Sequence, residues 1–184
     1  HGRVLLMFPW DQGAGADRKS KHRVHVAAAW AGVGWGAVHW PRVGQLVLVE
    51  FLEGDPARPI VTGRVYSRQH PFPYAMPANR TQSGFKSRTL DGTDQNFNEL
   101  RFEDKKGAEE VFLQAERDLT AKVKRNETRT VSGARAAYVG GNDTHQVEKG
   151  DQTLHVKSGN QAFKVDGGNQ TTDVTGNRAA TSAA

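Results

Sequence analysis

Short apolar runs, separated by clusters of glycine, proline and polar residues, fill the first 68 positions of the chain. Polar and apolar residues alternate in Arg23–Ala27 with a period of two, which is typical of a half-buried strand. No amphipathic helical period accompanies these runs. The predicted strands are Arg3–Phe8, Arg23–Ala27, Gly44–Phe51 and Ile60–Tyr66, with a polar loop at Asp11–Lys21 and a glycine-rich crossing at Trp30–Trp40. About five short strands without a helix predict a small β-barrel of the OB type at 2–68.

Two local signals refine this first domain. Glu53–Pro56 carries the glycine and proline of a tight turn. Gly63 lies inside the last predicted strand, where a glycine favours a bulge at a barrel corner.

The pattern changes after residue 68. Three prolines and a long polar stretch predict an extended connector at 69–99. Residues 100–117 regain an apolar pattern and form a β transition segment. It contains two predicted strands, Leu100–Asp104 and Glu110–Ala115, around a turn at Lys105–Gly107.

A periodic spacing of valines occupies 118–178, before a short tail at 179–184. Successive valines are eight residues apart up to Val147 and nine residues apart after it. Most are followed two or three positions later by a glycine, which tolerates the positive φ of a corner. One short strand per repeat is predicted, with an extra loop residue in the longer repeats. The predicted needle core is Val123, Val131, Val139, Val147, Val156, Val165 and Val174, and the predicted corner turns are Gly133, Gly141, Gly150, Gly159, Gly168 and Gly176.

This repeat has too few large apolar side chains to build a core within one chain. From Asp118 onward the only aromatic residues are Tyr138 and Phe163. Burying one valine contributes about 1.5–3 kcal/mol, whereas fixing each residue of a repeat costs about 1–2 kcal/mol in backbone entropy. Three parallel chains that intertwine change this balance, because their valines meet on one axis and their strands pair with neighbouring chains. At about 4.8 Å per stacked strand the needle would be roughly 35 Å tall.

The predicted fold class is therefore all-β: a small OB-type β-barrel followed by an intertwined trimeric triple-stranded parallel β-helix. The alternative is a disordered tail rich in glycine, asparagine and threonine.

Composition and charge exclude several kinds of chemistry. The chain has no cysteine, so disulfides, thiol catalysis and cysteine zinc sites are excluded. Its net charge is +5, but from Asp118 onward nine Lys and Arg face seven Asp and Glu. That balance indicates a mixed solvated surface rather than a stripe that binds the phosphates of nucleic acid.

Candidate catalytic and metal-binding residues form no constellation. Three carboxylates near the tight turn are interpreted as solvated turn residues rather than an acid–base pair; they are Glu50, Glu53 and Asp55. Three histidines lack a further ligand at metal spacing; they are His22, His25 and His39. The four tryptophans are expected to be core and trimer-interface anchors rather than a base-stacking platform; they are Trp10, Trp30, Trp35 and Trp40. No catalytic, metal-binding or cofactor-binding residue is predicted.

A series of motifs along nearly the whole chain resembles the VgrG family, the valine-glycine repeat spike proteins of bacterial type VI secretion. One departure is Leu46, where the family usually has a glutamate. The matching motifs are Gly2–Val4, Phe8–Asp11, Arg23–Val26, Trp35–Gly36, Pro41–Gln45, Val49–Pro56, Arg58–Tyr66, Thr81–Gly84, Asn98–Asp104 and Gly107–Asp118. The resemblance implies an OB domain followed by a β-helix needle, as in phage tail-spike hubs. Because the family's N-terminal hub domains are missing, the chain is expected to be a C-terminal fragment.

The resemblance also implies a function. It predicts a non-catalytic, homotrimeric spike that punctures membranes at the tip of the type VI secretion tube and delivers effectors into target cells. The implied partners are the hexameric Hcp tube, a PAAR-repeat tip protein, effector or adaptor proteins and, transiently, the target membrane. The spike would lie in the bacterial cytoplasm before firing and then be secreted into the target cell. Two alternatives stay open: an OB module that binds nucleic acid, and a scaffold for an enzymatic effector domain downstream of this segment.

Overall fold

The computed structural model describes residues 2–10 and 22–179 of the chain. The polar loop predicted at Asp11–Lys21 lies outside the described residues, as does all but the first residue of the tail predicted at 179–184. Two compact units make up the chain, His1–Val123 and Lys124–Ala184.

Nine short strands and a single 3-10 turn at Leu52–Gly54 account for the regular structure of the described residues. No helix among those residues is long and apolar enough to cross a bilayer. The strands form a four-stranded sheet in the order β1-β2-β6-β5, a hairpin β3–β4 and a three-stranded sheet in the order β7-β8-β9. They are β1 (Arg3–Leu6), β2 (His22–Val26), β3 (Ala31–Gly32), β4 (Trp35–Gly36), β5 (Val47–Phe51), β6 (Pro59–Arg64), β7 (Gln82–Lys86), β8 (Glu99–Glu103) and β9 (Glu110–Gln114).

The core of the four-stranded sheet is small. Its fully buried side chains are Val24 on β2 and Val61 on β6, each 1% exposed, and Leu6 on β1 joins them. Because side chains alternate along a strand, Val24 points inward while its neighbour Arg23 is exposed. β2 pairs antiparallel with β1 and parallel with β6, and β6 pairs antiparallel with β5. The alternation in the sequence therefore correctly predicts which face of β2 is buried.

The pairing of β5 with β6 shifts register beside Gly63. Leu48 pairs with Gly63 whereas Val49 pairs with Val61, so Thr62 is the extra residue. A two-against-one arrangement of this kind is a β-bulge, which bends the strand and increases its twist. The bulge predicted from Gly63 is confirmed.

The structure adds a strand, β7, to the connector predicted at 69–99. Its five residues include one large apolar side chain, Phe85, and the glycine Gly84, so its own pattern does not indicate a strand. It becomes one because β8 supplies an antiparallel partner for every residue of Gln82–Lys86. β8 and β9 lie within one residue of the two strands predicted for this region, and Gly107, at φ +80°, lies in the turn between them.

Gly84→Ala is expected to disrupt the pairing of β7 with β8. A Cβ at position 84 would lie 2.3 Å from the carbonyl oxygen of Leu100 and 2.9 Å from the Cα of Arg101. Both are backbone atoms, so the ladder must open to relieve the clash, and we expect a loss of about 2–4 kcal/mol in the free energy of unfolding. Chemical denaturation measures it.

The matched control is Gly63→Ala. A Cβ there meets only the Leu48 side chain, at 3.4 Å, so the loss should stay below about 1 kcal/mol. Equal losses in the two variants would contradict the steric argument.

Candidate functional site

Residues 118–179 repeat one backbone motif, a run of six residues without regular secondary structure followed by a bend. Each bend begins directly after one of the seven valines of the predicted needle core. It has two residues in the repeats of eight and three residues in the repeats of nine, so the change of spacing comes entirely from the bends. The extra loop residue that the sequence predicts is therefore confirmed. The bends are 124–125, 132–133, 140–141, 148–150, 157–159, 166–168 and 175–176.

The six predicted corner glycines each occupy the last position of a bend. Those that end the three-residue bends have positive φ: +103° at Gly150, +104° at Gly159 and +94° at Gly168. This left-handed region suits glycine because it carries no Cβ. The glycines that end two-residue bends have no positive φ; they are Gly133, Gly141 and Gly176. Every three-residue bend therefore ends in a glycine with left-handed backbone conformation, whereas no two-residue bend does.

The seven valines remain half-exposed within one chain, from 44% at Val156 to 55% at Val139. Residues 118–179 contain no strand or β-bridge, so the amides and carbonyls of the six-residue runs have no ladder partner inside the chain. A single chain therefore does not bring the predicted needle core together.

A buried polar cluster forms on one face of the β7–β9 sheet, around Glu99. Glu99 is 4% exposed, and one of its carboxylate oxygens accepts a hydrogen bond of 2.9 Å from the Tyr74 hydroxyl. Arg101 lies 3.6 Å from the same oxygen and donates to Glu110 at 3.1 Å, while its guanidinium covers the ring of Phe112. The hydrogen bond with Glu110 is the main reason that the pKa of Arg101 is raised, so Arg101 keeps its charge. The cluster pairs its buried charges and ties the proline-rich segment that contains Tyr74 to β8.

Burial, reinforced by the hydrogen bond with Glu99, raises the pKa of Tyr74 to about 12. Since an unfolded tyrosine ionises near pH 10, the contribution of Tyr74 to stability is fully present below about pH 10 and is lost as the pH rises through about 12. We expect denaturant midpoints of the wild type to fall between about pH 9 and pH 11.5 by more than those of Tyr74→Phe. Equal falls in both proteins would contradict a shifted Tyr74.

The carboxylates near the tight turn hold that turn together. Glu53 has φ +56° and pairs with Arg58 at 3.0 Å, and an Asp55 carboxylate oxygen accepts the amide of Ala57 at 2.8 Å. Glu50 lies on β5, outside the turn. These contacts support the interpretation of Glu53 and Asp55 as turn residues.

The histidines are separated and have different neighbours. The His25 ring nitrogen Nε2 accepts a hydrogen bond from Arg3 at 3.0 Å, and the His39 ring stacks on Phe85 with centroids 6.0 Å apart. The side chain of His22 lies outside the described part of the chain. In residues 2–10 and 22–179, no three side chains of His, Asp or Glu group together as metal ligands would.

None of the four predicted tryptophan anchors is buried in the chain. Trp30 and Trp35 are 65% and 58% exposed, and their rings meet edge to face at 5.2 Å. Trp10 and Trp40 are 64% and 50% exposed, and Trp10 stacks on Phe8. The expectation that they contribute to the core is wrong for a single chain, because the four-stranded sheet is filled by valine and leucine. Trp30, Trp35 and Trp40 instead line an open cleft of about 520 Å³.

Sequence reasoning missed the cluster around Glu99. A glutamate followed by Leu100 and Arg101 has the alternation of an ordinary half-exposed strand, in which the charged side chains face water. No local signal could have identified it, because Leu100 and Phe102 at the alternate positions of the same strand predict the opposite burial.

Two protein-family models match the chain in succession. Residues 1–66 match the type VI secretion system/phage-baseplate injector OB domain, and residues 83–184 match the bacteriophage T4 gp5 C-terminal trimerisation domain. The second match begins inside β7 and includes the entire valine repeat. Together with the β-structure described above, these matches confirm the predicted fold class of an OB barrel followed by a β-helix.

Curated relatives agree with these models. The chain is 49% identical over 140 residues to the type VI secretion system spike protein VgrG1b of Pseudomonas aeruginosa, covering 76% of the chain and 19% of that protein. It is 42% identical over 130 residues to the spike protein VgrG3 of Vibrio cholerae, covering 71% of the chain and 13% of the relative. A third relative, the actin cross-linking toxin VgrG1 of Vibrio cholerae, is 39% identical over 127 residues, which are 69% of the chain and 11% of the toxin. The chain thus spans about a fifth or less of the length of these relatives.

Proposed function

Because the chain belongs to the gp5-type trimerisation family, and with it to the VgrG spike proteins of type VI secretion, we propose that it is the structural shaft of a homotrimeric spike. In this proposal the spike sits at the tip of the secretion tube, punctures the target membrane and delivers effectors into the target cell. Its mechanism is stiffness and shape, and no residue of the segment performs catalysis.

One observation carries this proposal: residues 118–179 repeat a run of six residues, each ending in a half-exposed valine, without any ladder partner in the chain. A solitary chain would leave seven valines half-exposed and would gain neither core burial nor ladder hydrogen bonds to offset the entropy of ordering seven runs. A prism of three chains would supply both apolar neighbours for the valines and ladder partners for the backbone of the runs. Each run then pairs edge to edge with runs of the neighbouring chains, and each valine meets two symmetry copies on the axis.

In the assembled needle the valines form the axial core and the bend glycines turn the corners. The constant run of six residues gives every face of the prism the same width, about 20 Å at about 3.3 Å per residue. The three-residue bends lengthen the corners without changing the faces. The residues in these roles are Val123, Val131, Val139, Val147, Val156, Val165 and Val174 on the axis, and Gly133, Gly141, Gly150, Gly159, Gly168 and Gly176 at the corners.

The proposed partners follow from the family. A hexameric Hcp tube would support the spike, a PAAR-repeat protein would form its tip, and effector or adaptor proteins would travel with it. The spike would wait in the bacterial cytoplasm, contact the target membrane transiently on firing and end in the target cell.

The native mass of the purified chain tests the proposal. Sedimentation equilibrium should give three times the 20.2 kDa of the chain, without a detectable monomer at micromolar concentration. A monomeric or dimeric mass would contradict the proposed trimeric needle.

A nucleic-acid-binding OB module is the second candidate, and the exposed tryptophans of the cleft favour it. Single-stranded nucleic acids stack their bases on exposed aromatic rings, and Arg64 also lines this cleft. Salt-dependent retention of the chain on single-stranded DNA, lost in Trp30→Ala, would support this candidate. A stable trimer that does not bind DNA would exclude it.

A spike that carries an enzyme on the same polypeptide is the remaining candidate. The relative named as an actin cross-linking toxin favours it, because a match to this chain covers only 11% of that protein. The reading frame downstream of Ala184 in the full-length gene decides whether a further domain is attached.

A further inference from the structure

The cleft of about 520 Å³ has a polar side and an aromatic side. Strands β2 and β6, which pair in parallel, supply the polar side, and the β3–β4 hairpin with its flanking residues supplies the aromatic side. The volume lies in the range of about 300–1,000 Å³ that is typical of small-molecule sites. The polar residues are His25, Thr62 and Arg64, all of them exposed, and the tryptophans are Trp30, Trp35 and Trp40.

The hairpin holds the rings of Trp30 and Trp35 in place. Gly32 pairs with Trp35, and a Cβ at position 32 would lie 2.2 Å from the Trp35 ring, so this ring lies directly on the glycine backbone. The Trp30 ring meets the Trp35 ring edge to face, and the Trp30 carbonyl accepts the amide of Ala37 at 2.8 Å. Both rings are more than half exposed. Aromatic side chains that are already positioned lose little conformational entropy when a ligand binds to them.

The cleft carries little charge. In the part of the chain that the structure describes, no Asp, Glu or Lys lines it, and its one arginine, Arg64, already donates a hydrogen bond to the carbonyl oxygen of His39. A single strand of nucleic acid is bound by a positively charged groove that follows its phosphates. One arginine with a hydrogen-bond partner of its own does not make such a groove. The lining therefore favours a neutral ligand over a polyanion.

We propose that this cleft binds a neutral saccharide, with a pyranose ring stacked on Trp35 and its hydroxyls directed to His25 and Thr62. A pyranose with equatorial substituents, as in β-1,4-linked glucose and N-acetylglucosamine, has C–H bonds on its faces and polar groups around its edge. The C–H bonds pack on the negative face of an aromatic ring, and the polar groups need donors and acceptors beside that ring. The cleft divides its lining in the same way.

The inference goes beyond the proposed spike. All residues that line the cleft lie between Gly2 and Arg64 of one chain, outside the segment 83–184 that the trimerisation model matches. A saccharide site here would give the first domain a ligand of its own, and it needs no residue of the valine repeat.

Isothermal titration calorimetry of the purified chain tests the site, with hexamers of β-1,4-linked glucose and of β-1,4-linked N-acetylglucosamine as probes. At least one hexamer should bind, and Trp35→Ala should weaken that binding about tenfold or more, because a stacked ring is lost. The matched control is Trp10→Ala, which removes a tryptophan that is 64% exposed but does not line the cleft, and the affinity should stay unchanged. Binding of a neutral ligand releases no counterions, so raising the salt from about 50 to 500 mM should change the affinity less than about twofold.

The results decide between ligands. If neither hexamer binds, or if Trp10→Ala weakens binding as much as Trp35→Ala, the inference is overturned. Binding of single-stranded oligothymidylate without binding of a hexamer would assign the cleft to nucleic acid and would likewise overturn it.

A measurement on the wild type answers the same question should Trp35→Ala fail to fold. A saturating hexamer should protect Trp30 and Trp35 from oxidation by N-bromosuccinimide, as located by peptide mass spectrometry, while Trp10 stays reactive. Oxidation of all three at unchanged rates would contradict the site. Sedimentation of the same sample keeps the two proposals apart: a trimer that binds no saccharide loses only the cleft, and a monomer that binds saccharide loses only the spike.

Discussion

Val147→Asp is expected to abolish the trimer. Val147 precedes the first three-residue bend and is 49% exposed in a single chain, so neighbouring chains must cover the rest of its side chain in the needle. Aspartate would place three carboxylates on one axis without a partner, and each buried unpaired charge costs several kcal/mol. The trimer would lose on the order of 10 kcal/mol, comparable with the whole stability of an ordinary domain. Sedimentation should give the 20.2 kDa monomer.

The matched control is Gln146→Asp, one residue earlier in the same extended run. Adjacent side chains of an extended run point to opposite faces, so this carboxylate would face solvent and the trimer should persist. Both variants add one negative charge per chain. A difference between them therefore reports where the charge lies and not merely that a charge was added. A trimeric Val147→Asp protein, or a monomeric Gln146→Asp protein, would reject the axial assignment of the valines.

Glu99→Ala is expected to cause the largest loss within the β7–β9 sheet. It removes the acceptor of the Tyr74 hydroxyl and leaves Arg101, 24% exposed, with Glu110 as its remaining ion-pair partner in the described residues. Breaking a buried pair by removing one partner typically costs about 3–5 kcal/mol. The free energy of unfolding, measured by chemical denaturation, should fall by roughly that amount.

Two further variants control for this effect. Glu99→Gln keeps an oxygen for Tyr74 and should lose less than the alanine variant. Glu110→Gln breaks the more exposed arm of the cluster, where Glu110 is 52% exposed, and should cost only about 0–1 kcal/mol. If Glu99→Ala were no worse than Glu110→Gln, the burial of Glu99 would have no energetic consequence.

Periodicity in the sequence predicts much of this fold, because it records which side chains must avoid water. The alternation in β2 identifies Val24 as buried, and the change of valine spacing at Val147 predicts the extra bend residue. Such signals are local, so they can be read from one chain without its partners.

The parts that sequence reasoning missed depend on contacts with another segment. β7 lacks an apolar pattern and becomes a strand only because β8 pairs with it. Glu99 is buried because Tyr74, twenty-five residues earlier, comes to lie beside it. Trp30 is of a residue type common in protein cores, yet Leu6, Val24 and Val61 already fill the core of the four-stranded sheet. In each case the secondary structure or burial of the residue depends on which other segment packs against it, and the residue type does not specify that.

The absence of ladder pairing within residues 118–179 has a consequence for how spikes of mixed composition could arise. If every extended run pairs only with other chains, the three polypeptides wind around one another, and none can leave without unwinding the other two. Subunit exchange between finished trimers would then be as slow as complete unfolding of the needle. Two related chains made in one cell would form mixed spikes only while folding together. The subunit composition of each spike would therefore be fixed when the trimer assembles.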